Sequence, residues 1–591
     1  MGHRSERVAR GLLLALTGLL LACLAGCRQQ GAGPPSILLV TLDTTRADRI
    51  GAYGRDGART PTLDRLARQG ILFERAIAPT PITLPSHASI LTGVYPTAHG
   101  VRDNAVFALA PEARLVSEVL AERGWRTAAF VGSFVLHSRF GLDQGFEVYH
   151  SPQPTREPMR DLYVERPANE VVDDALAWLS GLAAGERFFV WLHFFDPHMP
   201  YEPPPAWRLP SLHPYEGEIG FCDAQLGRLL EALEETGRAR NLLVAVTADH
   251  GESLGEHGEE THGVFIYQTT LHVPLILSGE PVARARGQRV GHAVSTVDLP
   301  GTLLALSGIP IDELPDAHAP RLVARDGAPR RPDAERAIYT ESLLPYHSFR
   351  WHAFRGLVWR GHELIEGRRP ELYALDEASG GQRDRAGEAP ELLERMREAL
   401  GKLSERHAPL GWSQGRGVAA EEGDLLRALG YTVGSVGGDP FDPALPDPHD
   451  RIGDIRLISV AERRIGRAAW LRPIAPERFA EQDPQQLALG LRALGRARET
   501  LLELRENNPE DPHVFVNLGT VESRLGSHSS AVPLLERAIE LYPGVAALRY
   551  HLAVSYHATG QAEAALREMR KARSLDPGNS LYDSWLREHG P

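Results

Sequence analysis

The stretch Leu242-Leu-Val-Ala-Val-Thr-Ala-Asp249-His250 decides the fold class of this 591-residue chain. Its first residues form a short, continuous apolar run, which is typical of a strand buried in a parallel sheet. Similar runs, separated by amphipathic segments of helical period, lie at 37–42, 126–131 and 188–192. We therefore predict an α/β fold, in which a parallel sheet is covered by helices on both faces.

Residues that can bind a metal ion follow several of these strands. Asp43 ends the first run, residues 193–198 follow another, and Asp249 and His250 end the quoted stretch. Because ligands gather at the carboxyl ends of parallel strands, we predict one composite site there. Carboxylate and imidazole groups suit a divalent cation such as Zn, Mn or Ca. The bland alternative is that each Asp caps a helix.

A hydroxyl nucleophile is predicted in Thr83-Leu-Pro-Ser-His-Ala-Ser-Ile-Leu-Thr-Gly93. Pro85 is suited to be the first residue of a helix, and Gly93 is suited to end it. The free N–H groups and the dipole of this helix would face an anion that Thr83 attacks. In the simpler alternative Thr83 only caps the helix, but a cap requires no metal ligands elsewhere in the chain.

Several motifs together resemble sulfatases of the alkaline phosphatase superfamily, over residues 36–400. They are Asp43 through Asn104, Asp196-Pro-His198, the Asp249-His250 motif and Ser295-Thr-Val-Asp298. The resemblance implies an alkaline-phosphatase-like sheet sandwiched by helices and an ester hydrolase. It also implies residue roles: Thr83 is the nucleophile, His198 contacts the bound anion, and the metal ligands are Asp43, Thr83, Asp249 and His250.

The chain departs from sulfatases at the residues that handle sulfate. Sulfatases have a Cys or Ser at the position of Thr83 that is oxidised to formylglycine, and threonine cannot become formylglycine. Thr44 replaces a second Asp, and His87 replaces an Arg. The only lysines, Lys402 and Lys571, lie outside residues 36–400, so a sulfate pocket built on two lysines is excluded. These departures favour phosphorus esters.

Other branches of the superfamily match the replacements. Phosphoethanolamine transferases have a Thr nucleophile and a His close to the position of His262. In them this His, with one equivalent to His198, can hold a second zinc, so we predict either a second metal site or a catalytic acid/base pair. The resemblance to phosphonate monoester hydrolases adds Asn104 and Ser133 as substrate contacts, and His87 completes the predicted substrate-binding set.

Residues 1–26 have the features of a bacterial lipoprotein signal peptide. A basic start is followed by an apolar stretch at 11–25, and Leu24-Ala-Gly-Cys27 resembles the lipobox in which the Cys is acylated. Because Arg28 rather than Asp follows, we expect export and anchoring to the cell envelope, with the outer membrane favoured. The processed chain would keep only Cys222, which excludes a disulfide framework.

A 34-residue period near the C-terminus predicts tetratricopeptide repeats. Pro509, Pro543 and Pro577 follow this spacing, as do several pairs of small residues. We divide the chain into a signal peptide (1–26), tether (27–35), catalytic domain (36–405), linker (406–455) and helical repeat domain (456–591). The repeats are expected to bind a protein partner, and a purely architectural role is the alternative. A net charge of -13 gives no indication of nucleic-acid binding.

The favoured hypothesis is a metal-dependent, sulfatase-like hydrolase of a phosphate or sulfate ester in the cell envelope. Two alternatives remain open at this point. One is transfer of a phospho-substituent to a glycan or lipid, and the other is a non-catalytic scaffold that recruits partners through its repeats. The retained ligands Asp43, Asp249 and His250 argue against the scaffold.

Overall fold

The structure, a computed structural model, describes residues 33–104, 107–152, 165–317, 321–331, 336–375, 383–415, 438–466, 484–509, 511–577 and 579–590. The predicted signal peptide and Cys27 lie outside these ranges. Within them, no helix combines the length and the apolar character that crossing a membrane requires.

Strands of the described residues form one large sheet and two small ones. They are β1 (Ser36–Leu42), β2 (Ile71–Ile77), β3 (Phe107–Leu109), β4 (Arg126–Val131), β5 (Val148–His150), β6 (Phe188–Phe194), β7 (Leu242–Ala248), β8 (His272–Val273), β9 (Leu275–Gly279), β10 (Gln288–Ser295), β11 (Ile338–Ser342), β12 (Phe354–Trp359), β13 (His362–Glu366), β14 (Glu371–Ala374) and β15 (Ser413–Gly415).

The large sheet has the order β10-β2-β9-β7-β1-β6-β4-β5, with β8 paired to β2. The four strands predicted from apolar runs are present in it, and β1, β4, β6 and β7 are parallel to their neighbours in this group. The sheet is mixed rather than purely parallel, because β9 is antiparallel to β7 and β2. The segment after β7 stays at the carboxyl edge, so the strand that leaves this edge runs in the opposite direction.

Helices cover the sheet and form the C-terminal part of the chain. They are α1 (Pro61–Gln69), α2 (Thr83–Thr92), α3 (Pro96–His99), α4 (Val116–Glu122), α5 (Ala168–Ser180), α6 (Pro214–Glu235), α7 (Gln268–Leu271), α8 (Leu299–Leu306), α9 (Leu344–Phe349), α10 (Pro390–Arg406), α11 (Pro448–Gly466), α12 (Pro484–Asn507), α13 (Gly519–Arg524), α14 (His528–Leu541), α15 (Ala546–Ala558), α16 (Ala562–Leu575) and α17 (Ser580–His589).

Helix α2 positions the predicted nucleophile at its first residue. It begins at Thr83, so Pro85 is its third residue rather than its first. Gly93 ends it with φ of 75°, a left-handed conformation that glycine adopts without strain. All ten residues of the helix are buried, so its start is fixed from every side.

A second, smaller layer follows the large sheet. Strands β11 to β14 form an antiparallel meander. Helix α10 packs on it through buried apolar residues such as Met396 and Leu400. Strand β15 pairs with β3. Part of the predicted linker 406–455 is therefore ordered, because it contains β15 and the start of α11.

The C-terminal helices have the small buried residues that the 34-residue period predicted. Ala531, Ala538, Ala565 and Ala572 are fully buried where helices α13 to α16 pack against each other. The repeat region also contacts the catalytic region, since the rings of Phe349 and His513 lie 4.8 Å apart. One continuous cluster of buried apolar residues extends from β1 to α15.

Candidate active site

Three strands deliver polar side chains to one point of the sheet edge. Asp43 follows β1, and its N–H donates to the carbonyl of Phe194 at the end of β6 (2.9 Å). Asp249 and His250 follow β7, which is the other neighbour of β1. Because these strands are parallel and adjacent, their ends bring the side chains together, as the sequence predicted.

The predicted metal ligands lie within reach of a single ion. Asp43, Asp249 and His250 each offer one ligand atom, and these atoms lie within 4.8 Å of one another. His250 Nε2 is 3.4 Å from Asp249 Oδ2 and 3.8 Å from Asp43 Oδ1. His250 Nδ1–H donates to the carbonyl of Gly251 (3.0 Å), which leaves the lone pair of Nε2 facing the carboxylates.

Burial makes this cluster costly without a cation. Asp43 and Asp249 are fully buried, and both oxygens of Asp43 and Oδ2 of Asp249 have no hydrogen-bond partner. Burial raises the pKa of Asp43, with repulsion from Glu252 as a further cause, and burial and Asp43 raise the pKa of Asp249. Two buried carboxylates need a compensating positive charge, so the residues present fit a divalent cation.

Thr83 lies beside this cluster, as the nucleophile prediction requires. Its Oγ1 is 3.3 Å from His250 Nε2, and the side chain is fully buried. Ile82 occupies the N-cap position of α2, and no side chain accepts a capping hydrogen bond there. The alternative that Thr83 only caps the helix is therefore wrong, because its hydroxyl faces the ligands instead.

Asn104 is positioned at the same helix start. Its Oδ1 accepts a hydrogen bond from the N–H of Leu84 (2.9 Å), and its buried Nδ2 has no partner. An amide held by one atom with two free N–H bonds can donate to an oxygen of a bound ester. This geometry is consistent with the predicted substrate contact of Asn104.

His198 and His262 lie together next to His250. The ring centroids of His198 and His262 are 5.1 Å apart, and those of His250 and His262 are 4.4 Å apart. His198 Nδ1 donates to the carbonyl of Met199 (2.7 Å) and His262 Nδ1 to Glu252 Oε1 (3.1 Å). Each ring therefore keeps an Nε2 lone pair available.

Both imidazoles are neutral at physiological pH. Burial, followed by His262, lowers the pKa of His198 to about 3, and burial lowers the pKa of His262 to about 4. Two neutral rings with free Nε2 atoms can accept protons or bind a cation. The structure places them where either of the two predicted roles requires them.

The prediction that His87 contacts substrate was wrong. His87 is fully buried, and its Nδ1–H donates to the carbonyl of Thr83 (2.8 Å). Its Nε2 lies 3.0 Å from the hydroxyl of Thr41, which is the donor in this contact. Both ring nitrogens are therefore engaged inside the protein. Sequence spacing placed His87 next to the nucleophile, but it could not show that the ring points into the core.

Ser133 and Thr44 make no contact that assigns them a role in binding. Ser133 is buried just after β4, and no hydrogen bond of its hydroxyl is found among the described residues, so its substrate contact stays a prediction. The Thr44 hydroxyl donates to the carbonyl of Pro197 (2.6 Å) and so points away from the carboxylates.

His193 is a site residue for which sequence reasoning named no role. Its Nε2 lies 3.3 Å from Asp43 Oδ2, and neither ring nitrogen has a hydrogen-bond partner. The available signal was its place in β6, directly beside Thr41 of β1, two strand positions before the level of Asp43.

Taken together, a buried hydroxyl at a helix start lies beside two carboxylates and an imidazole at the carboxyl edge of an α/β sheet, an arrangement that suits hydrolysis of an ester. Comparisons with known proteins agree. Residues 35–309 match the family described as Sulfatase, and residues 486–545 and 524–586 match two families described as Tetratricopeptide repeat.

Curated relatives of this chain are sulfatases. The "Ulvan-active sulfatase" of Formosa agariphila is 24% identical over 454 residues, which are 68% of this chain and 87% of that protein. The "Delta 4,5-hexuronate-2-O-sulfatase" of Bacteroides thetaiotaomicron is 23% identical over 441 residues, which are 61% of this chain and 87% of the relative.

Solved structures of other proteins have a similar fold. A putative sulfatase from Bacteroides fragilis superposes with a TM-score of 0.54 and 20% identity, over 64% of this chain and 97% of that one. A structure described in complex with its substrate D-glucosamine-2-N,6-O-disulfate has a TM-score of 0.54 and 19% identity, over 63% of this chain and 98% of that one. At these identities the likeness shows the fold.

The chain therefore carries a sulfatase domain at residues 35–309 and tetratricopeptide repeats within 486–586. The sulfatase domain makes it an enzyme that hydrolyses ester bonds. The predicted fold class, an alkaline-phosphatase-like sheet followed by an all-α repeat domain, is confirmed.

Proposed function

We propose that this protein is a metal-dependent hydrolase that uses Thr83 as its nucleophile and prefers phosphorus esters to sulfate esters. The observation that carries the proposal is the 3.3 Å contact between Thr83 Oγ1 and His250 Nε2, beside two carboxylates without partners. An ordinary hydroxyl in this position requires chemistry other than that of formylglycine.

The first half of the reaction forms an ester of Thr83. Asp43, Asp249, His250 and Thr83 would hold the cation, which lowers the pKa of the Thr83 hydroxyl and offsets the charge of the substrate. Thr83 Oγ attacks phosphorus or sulfur in line, and the bond to the leaving oxygen breaks. The proton of Thr83 passes to a neutral imidazole, which returns it to the leaving oxygen.

The second half releases the acid and restores Thr83. A water molecule attacks the phosphorus or sulfur of the Thr83 ester, the bond to Thr83 Oγ1 breaks, and the free Nε2 of His262 takes a proton from this water and gives it to Oγ1. Glu252 Oε1 accepts from Nδ1 of the same ring at 3.1 Å and so fixes the orientation of the imidazole. Asn104 Nδ2 donates to a non-bridging oxygen during both steps.

The preference for phosphorus follows from the residues around the nucleophile. Formylglycine enzymes discharge sulfate by eliminating it from a hemiacetal, a route that a threonine ester lacks. Water must therefore break the ester directly, and phospho-threonine is a tractable intermediate for this step. Lysine, which would neutralise a sulfate group, occurs only at 402 and 571.

Hydrolysis of a sulfated sugar is the second candidate. The relatives are named for ulvan and hexuronate sulfates, and one similar structure is described with a glucosamine disulfate. These names favour an anionic glycan as the substrate class. Such a glycan could carry either a phosphate ester or a sulfate ester.

The test is a substrate panel with the wild type and two variants. Wild type, Thr83→Ala and the control Thr92→Ala, at the other end of the same helix, are assayed on an aryl phosphate, an aryl phosphodiester and an aryl sulfate with Zn²⁺, Mn²⁺ or Ca²⁺. We expect hydrolysis of phosphorus esters by wild type and control, no hydrolysis by Thr83→Ala, and a phosphoryl adduct on Thr83 in quenched samples. Preferential hydrolysis of the sulfate would contradict the proposal.

Transfer of a phospho-substituent to an acceptor alcohol uses the same first half. The observation in its favour is the pair of free Nε2 atoms on His198 and His262, which can bind a second cation and position an incoming oxygen. Metal analysis distinguishes the two roles of His198 and His262. Two ions per chain in wild type and one in His262→Ala support a second metal site. One ion per chain in both proteins supports an acid/base pair.

We also propose that the protein is exported and held in the cell envelope by a lipid on Cys27. The proposal is supported by the order of basic residues, apolar stretch and Leu24-Ala-Gly-Cys27. Expression in a bacterial host with labelled fatty acid should give a labelled wild type in the membrane fraction. Cys27→Ala should be unlabelled, and equal labelling of both would contradict the proposal.

The repeat domain is proposed to bind a protein partner on its concave face, as stacked helical repeats do. Such a partner would bring the hydrolase to its substrate in the envelope. Cross-linking of the full chain in envelope preparations, compared with a chain that lacks residues 484–591, tests this role.

A further inference from the structure

We propose that His193 is an additional ligand of the metal centre, and that it makes the centre selective for Zn²⁺ over Ca²⁺. The inference deepens the proposed function and rests on it only for the presence of a cation at Asp43 and Asp249. It does not depend on which ester the enzyme hydrolyses.

The first argument is the position of the ring. His193 lies opposite Thr41 in the register of β6 and β1, so its side chain reaches the carboxyl edge next to Asp43. Its Nε2 is 3.3 Å from Asp43 Oδ2, and His193, His87 and Asp249 each offer a ligand atom, all within 4.8 Å of one another. Asp43 thus faces two imidazoles, His250 on Oδ1 and His193 on Oδ2.

The second argument is the lack of partners. His193 is fully buried, and neither of its ring nitrogens has a hydrogen-bond partner; the same holds for both oxygens of Asp43. A structural hydrogen bond between the two residues would satisfy Nε2 and Oδ2 alone, and would leave Asp43 Oδ1 and Asp249 Oδ2 buried and unpaired. A shared cation compensates all four atoms at once.

Each measured contact has the separation of neighbouring ligands on one ion. The four pairs measured among Thr83, Asp43, Asp249, His250 and His193 are 3.3, 3.8, 3.4 and 3.3 Å. Bonds of about 2.1 Å in a tetrahedral arrangement place neighbouring ligand atoms about 3.4 Å apart. His193 therefore lies at the separation from Asp43 that a further ligand requires.

Nearby polar groups that could bind the metal in place of His193 already form hydrogen bonds with other residues. Both nitrogens of His87 are engaged with Thr83 and Thr41, although its ring lies 4.9 Å from that of His193. The hydroxyl of Thr44 donates to Pro197. The centre then combines carboxylate and hydroxyl oxygens with two imidazole nitrogens, and imidazole suits Zn²⁺, whereas Ca²⁺ takes oxygen ligands.

The test measures metal binding in the full chain rather than activity. Metal-free wild type, His193→Ala, His193→Asp and the control His347→Ala are titrated with Zn²⁺ and with Ca²⁺ by calorimetry, and bound metal is counted after dialysis. His347 is a matched control because it is also a buried histidine whose ring nitrogens have no hydrogen-bond partner.

We expect His193→Ala to weaken Zn²⁺ binding about tenfold or more, since changes around a metal site have effects of this size. His193→Asp replaces a nitrogen ligand by an oxygen ligand, so the ratio of the Ca²⁺ dissociation constant to the Zn²⁺ dissociation constant should fall. This variant tests the inference even if His193→Ala does not fold. The control should bind both ions like wild type.

Unchanged Zn²⁺ affinity and stoichiometry in His193→Ala, or an unchanged ratio in His193→Asp, would overturn the inference. Either result leaves the proposed function intact if Thr83 still forms its covalent adduct. Conversely, a wild type that binds Zn²⁺ through His193 but forms no adduct would contradict the proposed function alone.

Discussion

Thr83 and His87 lie one helical turn apart, and a chain of hydrogen bonds connects them to the core. Trp191 Nε1–H donates to the Thr41 hydroxyl (3.0 Å), the hydroxyl donates to His87 Nε2, and His87 Nδ1–H donates to the carbonyl of Thr83. Burial lowers the pKa of His87, so the ring is neutral and can accept one hydrogen bond while donating the other. The hydrogen bond from His87 to the Thr83 carbonyl therefore fixes the backbone that carries the nucleophile.

Replacement of His87 should reduce turnover through positioning rather than binding. His87→Ala removes a buried ring and leaves Thr41 and the Thr83 carbonyl without partners, so we expect a loss of about 2–4 kcal/mol of stability. We also expect kcat to fall while KM changes little, because His87 does not face the substrate. Urea denaturation and steady-state kinetics measure both effects.

The control for this prediction is His99→Ala. His99 is also fully buried and contacts the hydroxyl of Ser89 at 3.0 Å, ten residues away in the chain. It should lose stability and retain kcat. Equal kcat losses in the two variants would show that His87 acts only through stability.

The pKa values of the site histidines predict a loss of stability in mild acid. Burial lowers the pKa of His262 to about 4 from its ordinary value of 6.5, so the unfolded chain binds this proton first as pH falls. The contribution is fully present above pH 6.5 and is lost as pH falls towards 4, by about 3 kcal/mol at most.

Thermal unfolding of metal-free wild type and His262→Gln between pH 4 and 7 checks this prediction. The decrease in Tm towards acid should be smaller in the variant, because glutamine does not titrate. Parallel curves for the two proteins would disprove the assigned direction of the pKa shift.

At the scale of elements, helix α2 depends on how it ends. Gly93 has φ of 75°, and a Cβ added there would lie 3.0 Å from the Cβ of Ala317. The end of the helix thus combines a left-handed turn with close packing, and it fixes the helix that positions Thr83.

Gly93→Ala should therefore destabilise the protein by about 1–2 kcal/mol. Gly401→Ala is the matched control, because Gly401 lies within α10 and a Cβ there meets no atom within 4 Å. This change should stabilise by up to about 1 kcal/mol, since alanine is the better helix former. Chemical denaturation of both variants measures the difference, and equal shifts would contradict the role of the left-handed turn.

Local patterns predicted elements that are fixed by short-range chemistry. The apolar runs that became β1 and β7, and the 34-residue period, were sufficient because strand burial and repeat packing recur along the sequence. The antiparallel β9 and the opposite roles of His87 and His193 were not predictable. They depend on where a chain returns and which way a ring points, which only the assembled sheet determines.

At the scale of the whole molecule, helix α11, which spans the end of the predicted linker and the start of the repeat domain, supports the segment that carries His262. Ile452 of α11 packs against Gly258, where an added Cβ would lie 3.1 Å from it. Nearby, the Tyr267 hydroxyl donates to Glu371 Oε2 (2.9 Å) and lies 2.9 Å from His449 Nε2, and Arg456 lies 3.8 Å from Glu260. Residues 256–267 are thus held between the sheet edge and α11.

A charge at Ile452 should disturb catalysis without touching the site. Ile452→Asp places an unpaired carboxylate against Gly258, so we expect a loss of about 1–3 kcal/mol and a lower kcat/KM as residues 251–263 shift. Kinetics and limited proteolysis of this segment measure the effect. Leu489→Asp is the control, because Leu489 of α12 is 61% exposed; equal effects of both variants would show a general loss of stability instead.

The unbroken cluster of buried apolar residues from β1 to α15 gives the molecule a property that neither domain has alone. A hydrolase joined to a repeat domain by a flexible linker samples many orientations, whereas here the packing of α11 and the Phe349–His513 contact fix the orientation of the helical repeats relative to Thr83. A partner bound to the helical repeats would therefore be held at a constant distance and angle from Thr83. This fixed spacing would limit which ester groups can reach Thr83 while the partner is bound.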